Sequence, residues 1–349
     1  MTKSLKDISW QVTEEEYRAD KALSYSTLAK FKRSGFNELD HLFDKVESPS
    51  LTFGSAVDSI ITGGEKEFNE RFTIAEFPTL SDSLIQITKS LFEKYKDEAF
   101  IDFKDIPDTI LAQVGKECNF YAGDKYVNYR VKLIRDNCKN YYNLLFLAKG
   151  KTILNSQEYQ NVCNAVQALR SSQATKWYFE ADTPFDNIER LYQLKFKHTF
   201  NGVNYRCMAD LLVVDHDKKI VIPVDLKTSG KPEWDFHKSF LDWDYMIQAR
   251  LYWRIIRACM DEDPYFKNFV LDDYRFIVVN KYKLTPLVWK YEDTTKVGTL
   301  TYGKNHTFEC RDPFDIGKEL NEYLKHNCSV PREIEIEKLN SLTYWLNKL

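Results

Sequence analysis

The chain has 349 residues, 43% of them hydrophobic, and a net charge of −3 at pH 7. This composition supports a sizeable core in one large domain or two, and a near-neutral charge still leaves room for a local basic groove that binds nucleic acid. The longest apolar runs are far shorter than the roughly 20 residues of a membrane span, and the first residues do not resemble a signal peptide. The seven cysteines form no CxxC pair, which argues against zinc sites and disulfides. We therefore expect an intracellular, cytoplasmic protein without membrane contact.

The first half of the chain is predicted to be helical. Ser24 or Ser26 is suited to cap one helix, and Asn155 with Glu158 forms a start like a capping box for another. The predicted helices cover residues 23–43, 50–62, most of 81–148, and 155–172. No repeat or flexible linker interrupts this part, so residues 81–150 are predicted to be a helical insertion.

The pattern then changes to the alternation that is typical of strands. Asn201–Gly202 is a strong hairpin signal, and "HDKK" at 216–219 predicts a second turn. The strands joined by these turns are predicted over 188–200, 203–214 and 220–228. They follow one another as an antiparallel meander.

Helix and strand patterns alternate in the remaining chain. The predicted elements are a helix over 242–260, strands over 274–282 and 286–292, and a helix over 312–327. Helices around a central mixed sheet indicate an α/β fold class. We predict a single domain over residues 1–349, with its central strands and helix in 188–260.

Two aspartates stand in apolar runs, where a buried carboxylate is costly without a partner. If residues 216–219 form the turn, Asp215 faces Ile220, and counting from that pair places Asp210 opposite Asp225. Directly opposed residues have Cβ atoms roughly 4.5–5.5 Å apart, so the two carboxylates would need a shared proton or a bridging cation. Oxygen ligands without His or Cys favour Mg²⁺ or Mn²⁺.

The residues around Asp225 extend this site. Lys227 points to the same face, whereas Leu226 points away and leaves its backbone carbonyl near the acids. Acids that hold a metal beside a lysine are typical of a phosphodiester-cleaving site. A buried Asp–Lys pair without catalysis is the alternative. Pro223 lacks the N–H of a central strand, so it predicts a bulge or an unpaired edge that shifts the register by about one residue.

The first hairpin can be counted in the same way. Its two-residue turn places Phe200 opposite Val203, Lys197 opposite Arg206, Lys195 opposite Met208, and Gln193 opposite Asp210. One face would then collect the acids, with the bases Lys195, Lys197 and Arg206 beside them to contact phosphates.

Two predicted helices carry further candidates. In "GSAVD", Gly54 would let the helix approach the sheet closely while Asp58, one turn later, reaches the acids. In "QARLY", Gln248 and Tyr252 share a helical face that would carry an amide and a phenol toward a DNA end. The alternatives are a partly exposed aspartate and packing at the edge of the core.

In this order, these motifs resemble the PD-(D/E)XK nuclease superfamily, and within it the RecB-like and RecE-like phage exonucleases of the exodeoxyribonuclease VIII type. The resemblance is carried by the serine-led helix at Ser24 and Ser26, "GSAVD", "MAD" at Asp210, "DLK" at Asp225 and "QARLY". It implies a restriction-endonuclease-like core in which an antiparallel meander is flanked by helices.

The resemblance also implies a role for each motif. The roles are metal binding by Asp210, Asp225 and the Leu226 carbonyl, catalysis by Lys227, and DNA binding by Ser24, Ser26, Gln248 and Tyr252. Members of the superfamily carry a histidine that touches the metal where this chain has Asp58. Asp58 is a competent oxygen ligand, so we expect activity with an altered metal preference. Ala209 stands where the family name has proline.

The function implied is a metal-dependent exonuclease that degrades linear, double-stranded DNA from its ends in phage-type recombination. The partners implied are DNA with free ends, further copies of the chain in a homo-oligomer, and a single-strand annealing protein. Two alternatives stay open: an endonuclease of the same superfamily, and a DNA-end-binding protein without catalysis, which the departure at Asp58 favours.

Overall fold

A computed structural model describes residues 3–35, 39, 41–43, 49–77, 80–97, 101–182, 187–292, 298–302 and 306–325. The chain divides into two compact units, of which the first combines Met1–Gly54 with Ala165–Leu349 and the second is Ser55–Asn164. The predicted helical insertion falls within the second unit. In the part of the chain that the structure describes, no helix is both long and apolar enough to span a membrane.

Helices predominate in the first half of the chain, and most of the strands follow in the second half. The helices are α1 Glu14–Ala19, α2 Tyr25–Ser34, α3 Pro49–Arg71, α4 Asp82–Tyr95, α5 Asp108–Glu117, α6 Val127–Leu147, α7 Ser156–Ser171, α8 Phe236–Asp242, α9 Tyr245–Asp261 and α10 Pro313–Lys325. The strands are β1 Phe72–Ile74, β2 Thr152–Leu154, β3 Ile188–Phe200, β4 Val203–Asp215, β5 Ile220–Ser229, β6 Val270–Leu271, β7 Tyr274–Asn280, β8 Leu287–Tyr291, β9 Gly298–Tyr302 and β10 His306–Cys310. The mixed α/β class predicted from the sequence is confirmed.

The first unit is built on a mixed sheet with the strand order β3-β4-β5-β7-β8, to which β6 adds through β5. The meander of β3, β4 and β5 is antiparallel, as predicted, whereas β7 runs parallel to β5. The connection from β5 to β7 contains α8 and α9, and α9 packs against the sheet through residues that are almost fully buried, such as Ile247, Leu251 and Ile255. This crossover places α9 directly over the middle of the sheet.

The register of the meander agrees with the counts made from the two turns. Lys197 lies opposite Arg206 and Lys195 opposite Met208. In the second hairpin Asp215 lies opposite Ile220. The turn chemistry therefore sets which residues meet in the middle of the sheet.

Pro223 causes no slip, so the predicted shift in register is wrong. It lies opposite Leu212 in an unbroken stretch of β4–β5 pairing. On its other side, β5 pairs with β6 through Val221 and with β7 only from Val224 onward. Pro223 falls between these two pairings, where the N–H that proline lacks is not needed for a ladder.

The boundaries of the predicted helices 23–43 and 242–260 differ in the structure. The helix α2 ends at Gly35, which has a φ of +60°, a value that residues with a side chain adopt only with strain. The helix is therefore shorter than the predicted 23–43. Residues 36–38 and 40, and 326–327 at the end of the last predicted helix, lie outside the described residues. The segment 242–260 is divided by Asp244, which has a φ of +56° and separates α8 from α9.

The second unit has a helical core of its own. It is formed by α4, α5 and α6, with Ile87, Leu91, Leu111 and Ile134 fully buried between them. The strands β1 and β2 add a short parallel pair. This unit matches the helical content predicted for residues 81–148.

Candidate active site

Asp210 and Asp225 lie where β4 and β5 separate. The pairing of β4 with β5 ends at Leu211–Val224, and the next pair would be Asp210–Asp225. In place of that pair, the backbone N–H of Leu226 donates a hydrogen bond to Asp210 Oδ2 at 2.9 Å. The structure thus brings the two aspartates together at a fork between the strands.

The pairing of β3 with β4 is interrupted at the same level. The residues before and after Gln193 pair with β4, whereas Gln193 does not pair with Asp210. Gln193 has a φ of +53°, which L-residues rarely adopt. Along β4, the residues of the main core are odd-numbered up to Ala209 and even-numbered from Leu212. The strand therefore changes the face that it presents to the core at Asp210.

Three polar side chains form a closed set of contacts beside the fork. Lys227 Nζ lies 2.6 Å from Asp225 Oδ2, and Asp225 is only 2% exposed. Gln248 Nε2 donates to Asp225 Oδ1 at 2.5 Å, and Lys227 Nζ donates to Gln248 Oε1 at 3.1 Å. Each side chain contacts the other two, so the orientation of each one is fixed.

The charge of Lys227 is set by these surroundings. Burial alone would lower the pKa of its ammonium group, but the neighbouring carboxylates of Asp225 and Asp210 raise the pKa above its usual value. Lys227 is therefore a fixed positive charge at neutral pH.

Two tyrosines beside Lys227 were missed by the sequence interpretation. The Lys227 ammonium lies 4.6 Å from the centre of the Tyr245 ring, a cation–π contact. The ring of Tyr25 lies 6.1 Å from that of Tyr245, and burial raises the pKa of both phenols. Both had a signal in the sequence, because Tyr25 follows the cap residue Ser24 and Tyr245 precedes Gln248 by one helical turn.

Tyr252 and Gln248 have different surroundings from those predicted. Tyr252 is 8% exposed and packs edge-on against Tyr274 at 6.4 Å, so a base has too little open ring surface to stack on it. The prediction of base stacking by Tyr252 is wrong for this reason. Gln248 is 4% exposed and uses both ends of its amide on Asp225 and Lys227. Its contact with a DNA end stays a prediction.

Arg206, one of the bases predicted to flank the acids, is buried. Arg206 alternates along β4 with the core residues Tyr205 and Cys207, so it leaves the sheet on the opposite face. It is 6% exposed and lies 4.6 Å from the ring of Tyr17. Arg206 is thus too buried to contact a phosphate, whereas the clustering of acids and bases on one face stays a prediction.

The two lysines of β3 differ in their contacts. Lys197 Nζ forms an ion pair with Asp20 at 2.6 Å and lies 4.9 Å from the ring of Trp10. Lys195 is half-buried, and its backbone carbonyl accepts a hydrogen bond from the Trp10 N–H at 2.7 Å. The contact of either lysine with phosphate stays a prediction.

The start of α2 is fixed to β4. Leu23 forms an isolated bridge with Tyr205, and the hydroxyls of Ser24 and Ser26 are 2.9 Å apart. Ser24 is buried and Ser26 is exposed, so only Ser26 presents its side chain to solvent in this structure. A role of these serines in DNA binding stays a prediction.

Gly54 and Asp58 fall in different units. A Cβ atom on Gly54 would lie 2.9 Å from Thr228 Oγ1 on β5, so the close approach predicted for this glycine is confirmed. Asp58 belongs to the second unit, and its role as a metal ligand stays a prediction.

The oxygen atoms at the fork fit a hard divalent cation. Asp225 Oδ2 is buried and, apart from its ion pair with Lys227, accepts no hydrogen bond from the described residues. The N–H and C=O of one strand residue point to the same side, so the Leu226 carbonyl lies on the side of Asp210. Mg²⁺ is commonly held by one or two carboxylates, with water and substrate phosphate completing its shell. Within the described ranges, no three His, Cys, Asp or Glu side chains are grouped to hold a metal.

No protein-family model matches the sequence, and a comparison with curated proteins gives no match. The chain is similar to a crystal structure named "Putative exonuclease" from Eubacterium rectale, at 14% identity and a TM-score of 0.40. The similarity covers 95% of this chain and 88% of that one. A TM-score at this level assigns neither a fold family nor an activity.

Proposed function

We propose that the chain is a Mg²⁺- or Mn²⁺-dependent nuclease with a PD-(D/E)XK core that degrades linear DNA from its ends. One observation carries this proposal: Asp225, Lys227 and Gln248 form a closed set of contacts at the fork where Asp210 leaves the ladder. The sheet gives up pairing there and holds two carboxylates and an ammonium instead. Buried charges of this kind cost stability, so their presence supports a functional role for this site.

The side chains divide the work of hydrolysis between them. Asp210, Asp225 and the Leu226 carbonyl would hold the cation, which when bound lowers the pKa of a water and stabilises charge on the phosphate. Lys227 would donate hydrogen bonds to a phosphate oxygen, because its ammonium is a compact point charge. Gln248 holds the carboxylate of Asp225 and the ammonium of Lys227 in fixed positions relative to each other, so it is a positioning residue.

The preference for DNA ends has two supports. The resemblance to RecE-like exonucleases supports it, as does the position of Gln248 on the helix that covers the site. The burial of Tyr252 removes one of the two groups expected to engage a terminus. A homo-oligomer and a single-strand annealing protein as partners are proposals from the same resemblance.

The proposal is tested with two DNA substrates in parallel. An end-labelled linear duplex and a covalently closed circle are incubated with the protein in Mg²⁺, in Mn²⁺ and in excess chelator. We expect metal-dependent release of short products from the linear duplex alone. Comparable cleavage of the circle indicates an endonuclease, and full activity in chelator contradicts the metal requirement.

A second candidate is a DNA-end-binding protein without catalysis. It is favoured by Asp58, which stands where the superfamily that the motifs resemble has a histidine that touches the metal. In that case the linear duplex is bound at its ends and stays intact with every divalent metal tested.

A further inference from the structure

Two loops leave the sheet at the end nearest to Lys227. Residues 230–235 follow β5 and residues 281–286 follow β7, and these parallel strands stay paired up to Ser229 and Asn280. Ser229 lies two residues beyond Lys227, which is about 7 Å along a strand. Both loops therefore begin close to the candidate active site.

A buried carboxylate joins the two loops. Glu233 is fully buried, and its Oε1 accepts hydrogen bonds from the backbone N–H groups of Asn280 at 2.8 Å and Thr285 at 3.1 Å. Its Oε2 accepts a hydrogen bond from the Thr285 hydroxyl at 2.9 Å. A buried carboxylate is stable only with such partners, so Glu233 ties the first loop rigidly to the second.

Asn280 fixes the second loop from within. Its Nδ2 donates to the Lys231 carbonyl at 2.7 Å, and its Oδ1 accepts from the N–H groups of Tyr282 at 2.7 Å and Lys283 at 2.9 Å. Leu284 has a φ of +54°. Strained backbone of this kind persists where the surrounding structure holds it, and it occurs often at binding sites.

The held loops present aromatic rings and lysines to solvent. Trp234 is 52% exposed and Tyr282 is 70% exposed. The ammonium of Lys283 lies 4.9 Å from the Trp234 ring, and that of Lys281 lies 4.9 Å from the Tyr282 ring. Neither lysine has an ion-pair partner within the described part of the chain. We call Trp234, Lys281, Tyr282 and Lys283 the strand-end platform.

A third exposed ring stands beside the platform. Trp243 is 53% exposed, and the guanidinium of Arg33 lies 5.6 Å from its ring. Its neighbour Asp242 pairs with Lys231 of the first loop at 2.9 Å. Single exposed aromatic side chains are ordinary on protein surfaces. Here Trp234, Tyr282 and Trp243 each have a cation close to the ring.

We propose that the strand-end platform binds a single-stranded segment of DNA next to the active site. Bases stack on the rings of Trp234 and Tyr282, and the ammonium groups of Lys281 and Lys283 pair with the phosphates between them. The inference rests on the proposed function, to which it adds the state of the substrate strand. It gives the site a means to hold unpaired nucleotides beside the fork of Asp210 and Asp225.

Charge and shape favour this occupant over others. Stacking on a side chain needs a base with an open face, which single strands offer and base-paired duplex does not. A lysine already over a ring can move to a phosphate when a base takes its place, so the two contacts form together. An acidic protein would satisfy the lysines but would not require flat exposed rings.

The test measures binding in the absence of hydrolysis. A fluorescein-labelled oligothymidylate of about 20 nucleotides, long enough for one binding site of this kind, is titrated with the full chain in excess chelator, and fluorescence anisotropy gives the Kd. The variants are Trp234→Ala, Tyr282→Ala and the conservative Trp234→Phe. Tyr129→Ala is the matched control, because Tyr129 is 50% exposed and belongs to the second unit. Thermal melting verifies that each variant is folded.

We expect Trp234→Ala and Tyr282→Ala each to raise the Kd about tenfold, the size of a lost base–aromatic stack. Trp234→Phe and Tyr129→Ala should bind nearly as wild type does, and a blunt duplex of equal length should respond much less to all of the variants. Wild-type affinity in both alanine variants, or no binding of the oligonucleotide by the wild type, overturns the proposal.

Failure of the nuclease proposal can be distinguished from failure of the platform proposal. If Lys227→Ala and wild type bind the oligonucleotide equally and neither cleaves DNA with any divalent metal, the platform stands without the nuclease. If the wild type cleaves DNA while the alanine variants retain its Kd, the nuclease stands and the platform falls.

Discussion

The backbone N–H of Leu226 holds the carboxylate of Asp210 at 2.9 Å, one residue from Asp225. A ladder bond between β4 and β5 would have used that N–H on a backbone carbonyl. The side chain takes its place because the strands separate after Leu211–Val224. The backbone of the sheet therefore positions the carboxylate of Asp210 beside Asp225.

Substitution of Lys227 by alanine should lower the rate of DNA hydrolysis by about a hundredfold or more, the usual cost of a lost charge-stabilising donor. Lys227→Arg should recover little, because a planar guanidinium does not fit the place of a compact ammonium. Single-turnover rates on end-labelled linear duplex measure both effects. A rate for Lys227→Ala within twofold of wild type would reduce the contact with Asp225 to a structural ion pair.

The same variant should also change the response of stability to metal. Without Lys227, the buried carboxylate of Asp225 lacks its cation, which costs about 3 kcal/mol in a buried pair. A divalent cation bound at the fork would replace that charge and stabilise the folded state. Addition of Mg²⁺ or Mn²⁺ should thus raise the melting temperature of Lys227→Ala more than that of wild type. An equal rise in both proteins would argue against a cation at Asp225.

Gln248 should prove to be a positioning residue. Gln248→Ala removes the hydrogen bonds to Asp225 and Lys227, and should lower the free energy of unfolding by about 1–3 kcal/mol and reduce kcat more than it raises KM. Gln248→Glu places a second carboxylate against Asp225, so its stability should depend on divalent metal more strongly than that of Gln248→Ala. Urea unfolding with and without Mg²⁺, and steady-state kinetics, distinguish this role from simple packing. Equal metal dependence in the two variants would contradict it.

Substitutions of Asp58 test whether this residue supplies a metal ligand. If Asp58 supplies an oxygen ligand, Asp58→Asn should weaken metal affinity, measured by calorimetry, together with the rate of hydrolysis. Asp58→His should retain part of both, because the superfamily that the motifs resemble has a metal-binding histidine at this position. Unchanged affinity and rate in Asp58→Ala would limit the metal site to Asp210, Asp225 and the Leu226 carbonyl.

Asp215 anchors the turn that sets the register of the second hairpin. Its Oδ1 accepts a hydrogen bond from the Lys218 N–H at 2.9 Å, and its Oδ2 lies 2.8 Å from Lys218 Nζ. Burial alone would raise the pKa of Asp215, but the hydrogen bonds and charge of Lys218 bring it below the usual 3.8. A carboxylate with a lowered pKa stabilises the fold above pH 3.8, and this contribution is lost as the pH falls through the lowered pKa.

Asp215→Asn should therefore lower the free energy of unfolding by about 1 kcal/mol at neutral pH. The difference from wild type should shrink in more acidic solution, below the usual pKa of 3.8. Urea titrations at several pH values measure this difference. A difference that stays constant into acid would assign the effect to the shape of the turn.

Local patterns predicted the sheet well where turn chemistry controls it. Asn201–Gly202 and the turn after Asp215 gave registers that the structure confirms. The unpaired edge predicted at Pro223 is present between the pairings with β6 and β7, but it does not shift the register with β4. Long-range pairing of this kind has no signal in the strand itself.

The site was predicted only in part for a similar reason. The approach of Asp210 to Asp225 followed from counting outward from a turn. The count assumed unbroken alternation, and the positive φ of Gln193 and the change of face at Asp210 broke it. The burial of Tyr252 depends on how α9 packs, which helical spacing alone does not determine.

The central claim is that Asp225 and its neighbours hydrolyse phosphodiester bonds, and Asp225→Asn tests it most directly. Asparagine keeps the shape of the side chain and can still accept from Gln248, but it removes the charge that a divalent cation requires. The measurement is the rate of nucleotide release from end-labelled linear duplex in Mg²⁺, with wild type and variant purified identically. We predict metal-dependent release by wild type and at least a hundredfold lower rate for Asp225→Asn, a loss of the size expected when catalytic charge is removed. Equal rates in the two proteins would contradict the account.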